Sequence, residues 1–294
     1  MTDDHTGVTD DIVEPATDEA SVPYAGVRRD GVLQVRHPGA EWLSSGANGG
    51  RFRADCAYNV AVPEGWNRTD LETYVAERLE RAGFPPASEP GREYGRVLEV
   101  PALLTGVEMA DVRGARCGPV TAYATAGISN PARLPMEPPG GRFPDASEGG
   151  DVATKPDSLD SSADDPASSD QPPGWGTVNV IVGTTRSLAD GALANLLAVA
   201  AEAKAATLLA VTDVPGTTTD AIVAGYDPEG EPTQFTGSGT VVGTAARACV
   251  REAVRASLEA HYAGRDSSPQ GAAIDAPYGV STDVEAAVFE PDAR

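Results

Sequence analysis

Three observations predict a layered α/β sandwich on a mixed β-sheet. Two stretches share one plan, an apolar strand leading through a polar loop into a helical pattern: AYNVAV (57–62) runs into TDLETYVAERLERAG, and TVNVIV (177–182) runs into SLADGALANLLAVAAEAKAATLL. Apolar segments follow each helix, RVLEVPALL and VTAYATAGI after the first, TLLAVTDV and DAIVAGY after the second. A last helix over 240–262 places Val242, Ala246, Cys249, Val250, Ala253 and Ser257 on one face, the stripe of a helix lying on a sheet. Such alternation gives an α/β (or α+β) architecture. The shared Asn-Val-x-Val at Asn59 and Asn179 suggests internal duplication of a strand–helix–strand–strand unit.

Taken in order, residues 1–22 are acidic and poor in large apolar groups, and predict a disordered leader. Residues 23–134 supply the first half of a single domain. Its helix has a capping box at Thr69 and Glu72, and Gly83 is placed to end it. Residues 135–174 are nearly all Pro, Gly, Ser, Asp and Ala, and read as a disordered acidic linker. Residues 175–262 form the second half, with a second capping box at Ser187 and Asp190, and 263–294 read as a flexible acidic tail. About 200 residues remain for one core, which is ample.

The net charge is −22, and lysine occurs only at Lys155 and Lys204, so arginine supplies almost all the cations. Acidic residues spread through the foldable regions predict adaptation to a salty cytoplasm, where screening relieves self-repulsion. A basic patch for nucleic acid is missing from the pattern. Cys56, Cys117 and Cys249 are far apart and odd in number, which predicts reduced thiols. No basic leader with an apolar run opens the chain, and no run of about 18 apolar residues is evident. The expectation is a cytoplasmic protein without nucleic-acid or membrane partners.

Several chemistries are excluded by spacing. Gly237, Gly239 and Gly243 in FTGSGTVVG (235–243) do not fit G-x-G-x-x-G, and no Gly-Lys-Ser/Thr or G-x-S-x-G occurs. His5, His37 and His261 form no metal-spaced cluster, so no metal site is expected. A general-base role stays open for His37. What recurs is small polar residues in glycine-rich loops: LSSGANGGR (43–51), TAGISNP (125–131), PGTTTD (215–220) and TGSGT (236–240). Each alone is ordinary turn chemistry. Gathered at one end of a sheet, all four would offer N–H groups and amides to a polar ligand or oxyanion.

In these loops the chain resembles the adenosylcobinamide amidohydrolases (CbiZ type). The matching stretches, in order, are LSSGANGG, YNVAVP, TAGISNP, GTVNVIV, DGALANLLAVAAEAKAATLL, TTTDAIVAG and FTGSGTVVG, which span most of 43–262. The resemblance implies hydrolysis of the amide joining the aminopropanol arm to the corrin ring, releasing adenosylcobyric acid and (R)-1-aminopropan-2-ol for coenzyme B12 salvage. It implies no cofactor, the corrinoid being the substrate, and leaves the oligomeric state open, a homo-oligomer included. Relatives carry a histidine in the loop equivalent to TGSGT, where this chain has Gly239. Ser45, Asn48, Gly49, Ser129, Asn130, Thr219, Gly237 and Ser238 are the candidate substrate contacts. The rival reading is a non-catalytic corrinoid carrier, with His37 near cobalt.

Asp220, Glu202 and Lys204 are the candidate catalytic groups. On a helical wheel Glu202 points away from Leu193 and Leu197, whereas Lys204 falls inside the apolar stripe with Leu193, Leu197, Ala200 and Leu208. A lysine there either pairs inside with a carboxylate such as Asp220 or contacts the substrate amide, or lays its stem along the core with its head reaching solvent at the helix edge. Thr177, directly after Gly176 and the linker, is the possible nucleophile in the manner of N-terminal-nucleophile hydrolases. A plain strand-opening residue is the simpler reading of it.

Overall fold

The computed structural model describes residues 22–47, 49–63, 66, 68–84, 98–140 and 176–292. The leader before Val22, the linker from 141 to 174 and Asn48 lie outside the described residues.

Along the chain run β1 (Ala25–Arg29), β2 (Val32–Arg36), β3 (Glu41–Ser44), β4 (Gly50–Arg53), β5 (Cys56–Ala61), α1 (Leu71–Arg81) and β6 (Ala102–Thr105). A 3-10 turn (Met109–Asp111) leads to β7 (Arg113–Cys117), β8 (Val120–Ala126) and β9 (Ala132–Arg133). Then follow β10 (Val178–Leu188), α2 (Asp190–Thr212), β11 (Ala221–Thr233), α3 (Val241–Tyr262), α4 (Pro269–Ile274) and β12 (Val280–Ser281). One sheet has the order β1-β2-β5-β6, a second the order β4-β3-β11-β10-β8-β7, and β12 pairs with β9. Each large sheet is mixed: β5/β6 and β10/β11 are parallel pairs joined through α1 and α2, and the other pairs are antiparallel.

Side-chain alternation stacks these elements in four layers. In β10, Val178, Val180 and Val182 point to the core shared with α2 and α3, while Ile181 points to the core between the sheets. In β2 and β5, Leu33, Val35 and Ala57 face the second sheet, and Val32, Tyr58 and Val60 face α1 with Val75 and Leu79. The order is therefore α1, small sheet, large sheet, α2 with α3, which is the predicted sandwich. Two glycines permit the close approach of the sheets. A Cβ at Gly183 would stand 2.3 Å from the Tyr24 ring, and one at its partner Gly225 2.4 Å from Trp42.

Local signals fare unevenly. Gly83 (φ 68) ends α1 in a Schellman turn, with Phe84 N bonded to Leu79 O and Gly83 N to Glu80 O. Neither predicted capping box forms. The N-cap residues are Asp70 and Ala189, without side-chain caps, because Arg68 engages Asp70 and β10 holds Ser187 opposite Pro232. TLLAVTDV is not a strand: α2 runs on to Thr212. Thr207, Leu208 and Thr212 keep to its buried face, and both threonine hydroxyls bond the carbonyl four residues back at 2.7 Å, which satisfies the buried hydroxyls within the helix. The second unit is thus strand–helix–strand rather than strand–helix–strand–strand.

Against the expectation, α2 has the length and mean hydropathy (1.5) of a membrane span. Its leucines, valines and alanines supply that hydropathy, and its buried face, Leu193, Leu196, Ala200 and Leu208, packs in the core with the large sheet and α3. After α3, the stretch read as a tail forms α4 and β12, with Ala273 buried in the same core.

Candidate active site

Strand direction decides what gathers. Parallel β10 and β11 start at Val178 and Ala221, and antiparallel β8 and β3 finish beside them, Ala126 opposite Val178 and Ser44 opposite Val223. Residues 45–47 and 49, 127–131, 176–177 and 215–220 therefore converge on one end of the large sheet. The fourth loop does not. TGSGT follows the far end of β11, where Thr236 bonds Ala192 O and Asn195 beside the start of α2. Gly237 and Ser238 are thus separated from the other candidates by the length of the strand. The loop turns the chain into α3, and Thr240 caps that helix by accepting from Gly243 N at 3.0 Å.

At the converging end the centre is Asp220. Its Oδ1 accepts from Val178 N at 2.8 Å and from Thr217 Oγ1, and its Oδ2 from Thr217 N at 3.0 Å and from Lys204 Nζ. Lys204 reaches it from the buried face of α2, the two side chains being 11% and 9% exposed. The partner expected for Lys204 is in place. With four donors on two oxygens, the carboxylate has no lone pair left for a substrate proton. It ties the starts of β10 and β11 to loop 215–220 and to α2. Glu202 sits on the exposed face of the helix and pairs with Arg247 at 3.1 Å, away from this centre.

Around the ion pair lie hydroxyls and amides. Buried Thr177 and exposed Thr219 share a hydroxyl hydrogen bond of 2.6 Å. Ser129 Oγ accepts from Gly176 N. A Cβ at Gly176 would stand 2.5 Å from Ser129 N, so the two loops touch because residue 176 is glycine. Asn130 donates to Thr218 Oγ1 at 2.5 Å, while its own Oδ1 is buried without a partner. Ser45 bonds Ile222 N at 2.9 Å and so pins its loop, with Gly49, to the start of β11.

Beneath this end a polar seam joins the sheets. Asn179 donates to Asn59 Oδ1 at 3.1 Å and to Leu104 O at 2.8 Å, and accepts from Ala221 N; Asn59 donates to Thr125 Oγ1 at 2.9 Å. The Asn-Val-x-Val repeat was the visible trace of this seam, whose members were not among the predicted site residues. Also unpredicted, His261 Nδ1 lies 2.9 Å from Asp111 Oδ2 where α3 ends beside Gly127. His37 stacks on Tyr24 with ring centroids 4.4 Å apart and pairs with Asp227 at 3.2 Å. Among the described residues no group of three His, Cys, Asp or Glu could hold a metal ion.

The fold is a four-layer α/β sandwich with hydroxyls, carboxamides and a buried ammonium at one end of its sheet, and the protein's class is that of an amidohydrolase. The chain belongs to the adenosylcobinamide amidohydrolase (CbiZ) family, whose model matches residues 14–266. It is 50% identical over 262 residues to an adenosylcobinamide amidohydrolase of Halobacterium salinarum, covering 89% of this chain and 97% of that protein. A second relative of the same name, from Methanosarcina mazei, is 25% identical over 229 residues, 74% of this chain and 90% of its own.

Proposed function

We propose that the protein hydrolyses the amide joining the aminopropanol arm to the corrin ring of adenosylcobinamide. The products are adenosylcobyric acid and (R)-1-aminopropan-2-ol, and the acid returns to coenzyme B12 synthesis. The substrate class rests on family membership, with half of all positions shared along nearly the whole Halobacterium relative. The corrinoid enters as substrate, and no further cofactor is invoked.

The observation that favours amide binding at the converging end is the orphaned Asn130 Oδ1, a buried acceptor flanked by Thr218 and by the loop of Ser129. An unpaired buried acceptor costs about 1–3 kcal/mol, and a substrate N–H docked on it removes that cost. The Lys204–Asp220 pair holds loop 215–220, and with it Thr219, in place for the substrate. The carrier reading is disfavoured because the His37 ring is packed on Tyr24 and its Nε2 is committed to Asp227 at 3.2 Å. Incubation of the purified protein with adenosylcobinamide, with mass-spectrometric detection of the acid and the amine, tests the proposal. Binding of the corrinoid without release of either product would select the carrier.

A further inference from the structure

Amide hydrolysis needs a group that takes a proton from the attacking oxygen and returns one to the leaving nitrogen. At the converging end Asp220 is saturated by four donors and Lys204 is committed to it. Glu202 is on the outer surface with Arg247. The proton carrier must come from elsewhere.

His261, in the last turn of α3, meets the requirements. Its Nδ1 lies against Asp111 Oδ2 at 2.9 Å, which fixes the tautomer with the proton on Nδ1, while Nε2 makes no hydrogen bond among the described residues. The ring is held edge-on by Tyr262, whose hydroxyl bonds both N and O of Ile128. Nε2 faces Gly127: a Cβ at that position would lie 3.1 Å from it. Gly127 donates its N–H to Thr177 O at 3.2 Å, continuing the β8/β10 ladder by one residue. Residues directly opposite in an antiparallel ladder project to the same face, their Cβ positions about 5 Å apart. Nε2 and the Thr177 side chain therefore flank residue 127 on one face, where a Cβ would meet Val107 Cγ2 at 3.0 Å as well as the imidazole, so glycine is what lets the ring come this close to the loop of Ser129 and Asn130. Burial pushes His261 below the ordinary imidazole range. Asp111, Glu108 ahead of the 3-10 turn and Arg265 beyond α3 are the charges that face it, the two acids opposing the shift and Arg265 adding to it. The ring is thus neutral at neutral pH and able to accept a proton.

We infer that His261, oriented by Asp111, is the general base and acid of the amidohydrolase reaction. Nε2 takes a proton from water as the water oxygen bonds to the amide carbonyl carbon. The same proton passes to the amine nitrogen as the C–N bond breaks, leaving carboxylic acid, free amine and neutral imidazole. Asp111 is a positioning residue. This inference rests on the proposed substrate, so wild-type turnover of adenosylcobinamide is measured first. An inactive wild type removes the substrate reading, whereas an active wild type with active variants removes only the role of His261. For His261→Gln, kcat is expected to fall at least about 100-fold with little change in KM. Asp111→Asn should lower kcat by a smaller factor. The wild-type acid limb in kcat, centred below the ordinary imidazole range, should vanish in the glutamine variant, and added imidazole should restore turnover in His261→Gly. Because substitution in α3 can also loosen the core, melting temperature is followed in parallel. A folded His261→Gln that keeps about a tenth or more of wild-type kcat with the acid limb intact overturns the assignment, since a lost general base costs far more. So does failure of imidazole rescue in a folded His261→Gly.

Discussion

Replacing Lys204 by methionine preserves most of the stem volume and removes the ammonium, which isolates the electrostatic role of the pair. Asp220 would keep three donors, Val178 N, Thr217 N and Thr217 Oγ1, but its negative charge would lose its countercharge in a site where both side chains are nine-tenths buried. Removing one partner of a buried pair costs about 3–5 kcal/mol. For a domain of this size that corresponds to a melting-temperature drop of roughly 6–20 °C. Asp220→Asn should cost at least as much: whichever way the amide turns, its NH2 meets a backbone N–H, of Val178 or of Thr217, already pointing at that oxygen. Lys204→Arg should also be poor. A Cβ at Gly216 would stand 2.6 Å from Asp220 Oδ2 and 3.4 Å from Nζ, so the loop is wrapped closely around a compact ammonium and has no room for a planar fork. Urea unfolding followed by circular dichroism, run at low and at molar salt, gives the cost. It should be nearly the same at both, because a buried pair is weakly screened. Turnover should fall with loop order in all three variants. If Lys204→Arg unfolds within about 1 kcal/mol of wild type and turns over normally, the pair is not what holds the loop.

Four further outcomes follow from the same geometry. Asn179→Ala strands Asn59 Oδ1, Leu104 O and Ala221 N inside the molecule, and should cost about 3 kcal/mol or more; an equilibrium unfolding curve within about 1 kcal/mol of wild type would dissolve the seam argument. Of the three thiols only Cys117 is exposed, while burial raises the Cys56 thiol and pushes Cys249 up to about 11, so a chromogenic disulfide reagent at neutral pH should titrate one thiol in the native protein and three after unfolding. Because the His261 imidazole is held below its unfolded value of 6.5, the unfolded chain binds the extra proton in that window. Its contribution to stability is full above pH 6.5 and is lost as pH falls through the folded value; a stability difference between wild type and His261→Gln that stays flat from pH 7 down to pH 5 would contradict the burial. Finally, a net charge of −22 should make the melting temperature rise with salt until the self-repulsion is screened, and a salt-independent melting curve would show that the surface charge is already neutralised within the fold.

Short apolar runs placed β5, β8 and β10, helical patterning placed α1 and α3 with its buried face, and Gly83 marked a helix end, because each of these depends on residues within a few positions of one another. The inward place of Lys204 was legible for the same reason, since its position in the stripe of α2 is a local property, but the choice between a carboxylate partner and a head reaching solvent was made by the fold. Other features are non-local and only the tertiary structure decided them. The hydroxyl pair of Thr177 and Thr219 exists because parallel pairing aligns the starts of β10 and β11, 42 residues apart. The His261–Asp111 contact spans 150 residues and needs α3 to end over the edge of β8. TGSGT looked like the other glycine loops but sits at the opposite end, since the 13 residues of β11 carry the chain across the sheet before the loop begins. A composition rich in small polar residues specifies that the chain turns. Which end of the sheet the turn occupies is set by strand direction and register, and these are fixed only when both faces of the sheet are buried.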